Sequence, residues 1–239
     1  TSTHWRQSGS YGRKTAINGI SDLDMAFELP KETYDKFNAY TTGGQSALLQ
    51  DIKKAIQQAY DNDQVKADGQ IVGIDLDGFR IEVLPTFYLD KDANGTLDYD
   101  VYTFPDTNDG GRWRKTKPKL EIEATRTLNT EYSHDTYRHL CRMARSWKNH
   151  VGAKCSGLWI DTLAFNFIKQ SETYKNISYK NYGELVKDFF KYLFDQYELS
   201  PDQKIWKAPG SNQNVHGSWQ NHRKMKKAYP LCLEATEDI

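Results

Sequence analysis

Residues 9–25 read GSYGRKTAINGISDLDM, and the relation between the two ends of this stretch decides the fold. At its start, Gly9-Ser10 is a turn in which backbone amides and a small hydroxyl can approach a phosphate unobstructed, because glycine has no Cβ. At its end, Asp22 and Asp24 open DLDMAFELP, which alternates with period two. Leu23, Met25, Phe27 and Leu29 share one face, while Asp22, Asp24 and Glu28 share the other, so a half-buried strand is predicted over 22–30. Carboxylates two apart on a strand point the same way and can share hard divalent cations, which prefer oxygen ligands. Turn and strand together set phosphate beside metal. A clamp for two ions wants a third acid on a neighbouring strand. In FRIEVLP, Phe79, Ile81 and Val83 take the core face and leave Arg80, Glu82 and Leu84 opposite, which makes Glu82 the third candidate ligand.

Outward from this stretch, residues 41–62 carry Leu48, Leu49, Ile52, Ile56, Ala59 and Tyr60 at helical spacing after the Gly43-Gly44 break, predicting a helix behind the strand. Residues 71–76 and 79–87 flank Asp77-Gly78, the signature of a two-residue hairpin with a type I′ turn. A second hairpin is expected to turn at Asn94-Gly95, between 85–89 and 97–104. Beyond Pro118 the pattern becomes helical, over 122–128, 137–151, 158–168, 182–197 and 219–237. Pro105, Gly110, Gly111 and Pro118 interrupt between the two characters. The expected class is α/β in the α+β sense, with a mixed-sheet lobe over 1–112 and a helical lobe over 113–239.

Composition limits the function. The 239 residues hold 32 basic and 32 acidic side chains, so there is no global field of the kind that wraps nucleic acid. Apolar runs such as 71–74 fall far short of the roughly 20 residues that span a bilayer. Cys141, Cys155 and Cys232 are scattered without a C-x-x-C pair, the usage of a reducing compartment, and a cytoplasmic protein is expected. The absence of an initiator Met before Thr1, and a last element that stops without a terminator, lead us to expect that the natural chain continues beyond both ends.

The order of G-S, D-x-D and a third acid on a later strand resembles the polymerase-β-like nucleotidyltransferases. More narrowly, GSYGRKTAINGISDLDM is similar to the cGAS/DncV-like nucleotidyltransferases (CD-NTases) of bacterial antiphage signalling, CBASS. The similarity continues through IEVLPTF (81–87), GGRWRKTKPKLEIEA (110–124), RMARSWKNH (142–150), CSGLWIDTLAF (155–165), APGSNQNV (208–215) and KAYPLCLEA (227–235). The resemblance implies a two-lobed enzyme in which Asp22, Asp24 and Glu82 are catalytic and hold two Mg²⁺ or Mn²⁺ ions, while Gly9 and Ser10 grip the donor triphosphate. It also implies that Arg145 and its companion Ser156 bind nucleotide. Glu82 is one methylene longer than the Asp usual there, and Arg145 replaces the common Lys, exchanging a point charge for a planar fork. The family's long helix before the G-S turn is absent from this sequence. Implied partners are nucleoside triphosphates and a separate effector responding to a cyclic di- or trinucleotide, with no membrane and no nucleic-acid activator indicated. A transferase modifying an external acceptor, such as RNA, an antibiotic or a protein, is the alternative enzyme. A catalytically silent nucleotide-binding scaffold would be expected to have lost an acid, and none is missing.

Other features have plainer readings. Asp90, Asp92, Asn94 and Gly95 imitate an EF-hand opening, but Val101 stands where the bidentate Glu belongs, so a hairpin tip is expected. His134, His139 and His150 lack zinc spacing. The sequons at Asn94 and Asn176 have no meaning in a cytoplasm. Arg223, Lys224, Lys226 and Lys227 read as a solvated helix face. Arg112, Arg114, Lys115, Lys117 and Lys119 read either as a field drawing in anionic nucleotides or as a soluble loop. Trp113 and Thr116 suit either a base or ribose contact or, for Trp113, hinge packing.

Overall fold

The acidic strand forms where alternation predicts it, and the sheet is built on it. A computed structural model describes residues 4–19, 22–60, 64–199 and 204–217. The chain divides into two compact units, one over 1–12 and 18–119 and the other over 13–17 and 120–239. The sequence reading cuts after 112, which would divide a strand pair inside the first unit.

That unit runs β1 (Trp5–Gln7), α1 (Gly9–Gly12), β2 (Leu23–Glu28), α2 (Lys31–Asn38), α3 (Gly44–Tyr60), β3 (Val65–Asp68), β4 (Ile71–Leu76), β5 (Phe79–Thr86), β6 (Tyr102–Asp106) and β7 (Arg112–Thr116). A five-stranded mixed sheet has the order β1-β2-β5-β4-β3, in which β2 and β5 are parallel and the other neighbours antiparallel. Parallel pairing demands a crossover, and α2, α3, β3 and β4 supply it. Leu49, Ile52 and Ile56 of α3 pack on Phe27, Val72, Ile74, Ile81 and Val83. One face of the sheet is thereby covered, and the alternate residues Asp24, Gly73 and Glu82 stand on the other.

Hairpin β4–β5 closes through Asp77-Gly78 as expected, but only Gly78 is left-handed, at φ 87°; Asp77 is not among the positive-φ residues, so the turn is not type I′. The hairpin expected at Asn94-Gly95 is reduced to isolated bridges, Lys91 with Leu97 and Phe87 with Thr103. Strand β6 pairs with β7 instead. The tip is tied locally, with Asp92 Oδ1 accepting the Asn94 and Thr96 amides at 2.9 Å each.

The second unit holds α4 (Pro118–Thr127), which starts just inside the first, then α5 (Thr136–His150), α6 (Gly157–Gln170), α7 (Tyr182–Glu198) and the short pair β8 (Ile205–Lys207) and β9 (Asn214–His216). Tyr137, Leu140, Ile160, Leu163, Leu185 and Phe189 form its core from successive helices. The helix expected over 219–237, with its lysine cluster and Cys232, lies outside the described residues. Among the described residues no helix is long and apolar enough to cross a membrane.

Candidate active site

Parallel pairing of β2 with β5 puts Asp24 directly opposite Glu82, so the second and third predicted acids are cross-strand neighbours on the uncovered face. Asp22 precedes β2 and is exposed. The three form one electrostatic group: burial and the nearby Asp24 and Asp22 carboxylates hold the Glu82 carboxyl above its ordinary value, with Arg80 opposing. Among the described residues, no group of three His, Cys, Asp or Glu side chains is arranged to hold a metal ion by itself. The donor set is all carboxylate oxygen, suited to Mg²⁺ or Mn²⁺, and its mutual repulsion is the kind a cation relieves.

The G-S turn is folded onto these acids. Gly9 has φ 53°, and a Cβ built there would lie 1.8 Å from Asp24 Oδ2, so glycine is required both by conformation and by space. The Ser8 amide donates to the Asp24 carbonyl at 2.9 Å and the Gly12 amide to the Ser8 carbonyl at 2.8 Å, fixing α1 against β2. Ser10 is buried.

Arg80 is the partner that pattern reading did not assign. Its Nη1 donates to Asp75 Oδ1 at 2.9 Å and its Nε to Glu82 Oε1 at 3.2 Å. The guanidinium lies on Gly73, where a Cβ would meet Nη2 at 2.3 Å. A mid-strand glycine opposite an R-x-E alternation was the available signal.

In the second unit, Arg145 is buried and closed on Asp161 as a bidentate pair, Nε to Oδ1 at 2.9 Å and Nη2 to Oδ2 at 2.7 Å. Its guanidinium fills the space beside Gly157, where a Cβ would lie 2.3 Å from Nη1. Ser156 is the N-cap of α6, its Oγ accepting the Trp159 amide at 3.1 Å. Both side chains thus have partners within the unit that the sequence reading did not foresee. Asp161 also takes Arg13 Nε at 2.9 Å and Thr15 Oγ1 at 2.8 Å. Burial would push this carboxyl up, but Arg13 and Arg145 outweigh it and hold it below the usual range.

Other residues singled out in the sequence also have partners in the structure. Trp113 packs on Tyr34 and Phe87, ring centroids 4.7 and 5.7 Å away, and its Nε1–H donates to Asn38 Oδ1 at 2.9 Å, the packing alternative. Thr116 closes the β6–β7 pair opposite Tyr102. Arg112 and Arg114 lie on the buried Asp106 at 3.6 and 3.2 Å, and Lys115 pairs with Asp90. The basic segment is therefore a strand with acidic partners rather than a loose loop. His139 Nδ1 lies 2.8 Å from the Tyr182 hydroxyl.

The sequence matches the model of the Second Messenger Oligonucleotide or Dinucleotide Synthetase domain, SMODS, over residues 1–129, which spans the G-S turn, all three acids and β7. The chain belongs to the SMODS family. It is accordingly a nucleotidyltransferase of the cGAS/DncV-like kind, making cyclic oligonucleotides from nucleotides. Solved structures agree on the fold. A Rhodothermus marinus CdnE c-UMP-AMP synthase is 18% identical, with TM-score 0.61 over 98% of this chain and 82% of its own. An Elizabethkingia meningoseptica CdnE cyclic dinucleotide synthase, solved with GTP and Apcpp, is 13% identical, with TM-score 0.65 over 98% and 83%. The Vibrio cholerae di-nucleotide cyclase DncV is 13% identical, with TM-score 0.67 over 98% and 63%. No curated protein matches the sequence. Within this SMODS chain, the matched segment holds Asp22, Asp24, Glu82, Gly9 and Ser10, while Arg145 and Ser156 lie beyond it.

Proposed function

We propose that this SMODS protein joins nucleoside triphosphates without a template into a cyclic di- or trinucleotide, with Asp22, Asp24 and Glu82 as catalytic, metal-holding residues. The observation that carries the assignment is the cross-strand pairing of Asp24 with Glu82 beneath a glycine whose missing Cβ admits the Asp24 carboxylate. Two divalent cations held by these acids would supply the charge that lowers the pKa of an attacking ribose hydroxyl and offsets that of the pyrophosphate leaving group.

The chain's own residues do the positioning. Gly9 and Ser10 hold the donor triphosphate at the turn packed against Asp24, which brings the α-phosphorus to the acids. Arg80 braces Glu82 from the side, so the longer Glu side chain is held in one direction. Arg145 keeps Nη1 for phosphate while Asp161 engages its other edge, and the Ser156 hydroxyl can still donate a proton while its oxygen caps α6. The product is read by a separate effector in cytoplasmic antiphage signalling.

Incubation of the protein with all four ribonucleoside triphosphates and Mg²⁺ or Mn²⁺, followed by phosphatase and mass spectrometry, tests this. A phosphatase-resistant product without free ends, absent from Asp22→Ala/Asp24→Ala, is expected. Labelling of an added acceptor with no such product would overturn the cyclase reading.

A further inference from the structure

We propose that Asp161 is the positioning residue for the phosphate grip, acting through Arg13, Thr15 and Arg145; this rests on the reading that Gly9-Ser10 and Arg145 hold the triphosphate. The Asp161 side chain is wholly buried, yet it receives four hydrogen bonds from three side chains. Two of those donors, Arg13 and Thr15, stand three and five residues beyond Ser10, and the third is Arg145 itself. One carboxylate therefore fixes the chain leaving the G-S turn and the guanidinium assigned to phosphate.

The segment is pinned on its other sides as well. Arg13 Nη1 reaches Glu121 Oε2 at 3.5 Å, and Glu121 Oε1 accepts the Ser211 hydroxyl at 2.9 Å. Lys14, between the two donors, is left-handed at φ 59°, and its carbonyl accepts Arg142 Nη2 at 2.9 Å. Two buried arginines balance two buried carboxylates, so the group is neutral as a whole. Buried ion pairs seldom add stability over apolar packing of equal volume, because desolvation cancels the attraction. What they do impose is direction, since each bond has one geometry, and a small misplacement of a phosphate-binding group costs roughly a hundredfold in rate.

The test compares affinities for a nonhydrolysable nucleoside triphosphate and the matching monophosphate, by calorimetry below the melting temperature, in four proteins: wild type, Thr15→Val, Asp161→Asn and Leu163→Val. Leu163 is buried on the same helix in the apolar core and its side chain makes none of these hydrogen bonds, so its variant reports loss of packing alone. Thr15→Val and Asp161→Asn are expected to lower the triphosphate-to-monophosphate affinity ratio about tenfold or more, while Leu163→Val lowers Tm and leaves the ratio unchanged. An unchanged ratio in Thr15→Val and Asp161→Asn, with only Tm reduced, overturns the positioning role. If Asp161→Asn does not fold, Thr15→Val, which keeps every charge, decides alone. A wild type that does not prefer triphosphate to monophosphate removes the triphosphate reading itself, a result distinct from loss of preference in the variants.

Discussion

Glu82 carries opposing influences. Burial and two neighbouring carboxylates favour its neutral form, while Arg80 favours the charged one, and the net result is a carboxyl titrating above 4.5. A folded-state pKa above the unfolded one makes the fold bind more protons than the unfolded chain, so this contribution to stability is present below pH 4.5 and is lost as pH rises through the folded value. In metal-free protein, Tm measured between pH 4.5 and 7 should fall for wild type relative to Glu82→Gln, and Mg²⁺ should restore more at the upper end. A flat difference between the two proteins across that range would mean that Arg80 fully offsets burial and the neighbouring acids. Pattern reading finds Glu82 because strand alternation fixes which face a residue takes, and Asp24 and Glu82 depend only on that rule. It misses Arg80 as a partner because alternation gives the face but not which cross-strand space is open, and that space depends on Gly73 having no side chain.

At the scale of elements, the approach of α1 to β2 is set by one missing atom. An alanine at Gly9 would have to adopt φ 53° and occupy the position of a carboxylate oxygen. Gly9→Ala should therefore displace α1 from Asp24 and lower turnover at least a hundredfold, read as pyrophosphate release, with far-ultraviolet circular dichroism unchanged; near-normal turnover would show that the turn does not need this contact. Helices α3, α5, α6 and α7 are legible because apolar spacing at period 3.6 is a local property. The failure at β7 is non-local. The β7 sequence RWRKT shows no apolar alternation, and it becomes a strand because β6, buried throughout, offers it a hydrogen-bonding edge and Asp106 offers it a counter-charge. Residues 97–101 lose that competition, so the expected second hairpin never lengthens. Asp77-Gly78 forms the correct two-residue connection with a different turn, since glycine alone supplies the left-handed residue.

For the whole molecule, the segment 13–17 belongs by its contacts to the unit formed mainly by 120–239. Nothing in RKTAI announces this, because the partners of Arg13 and Thr15, Asp161 and Glu121, come from more than a hundred positions away. A fragment over 120–239 should consequently melt without cooperativity by circular dichroism: it keeps Glu121 and Asp161 buried but loses Arg13, and stranding one partner of a buried pair costs about 3–5 kcal/mol from a total of roughly 5–15. A sharp melt would show that the buried carboxylates find other partners. The same threading bears on recombination between relatives. An exchange of halves at a single crossover near residue 119 would separate Arg13 and Thr15 from the helices they evolved with, so chimeras made to transplant one enzyme's product choice into another need junctions at 12, 17 and 119 together.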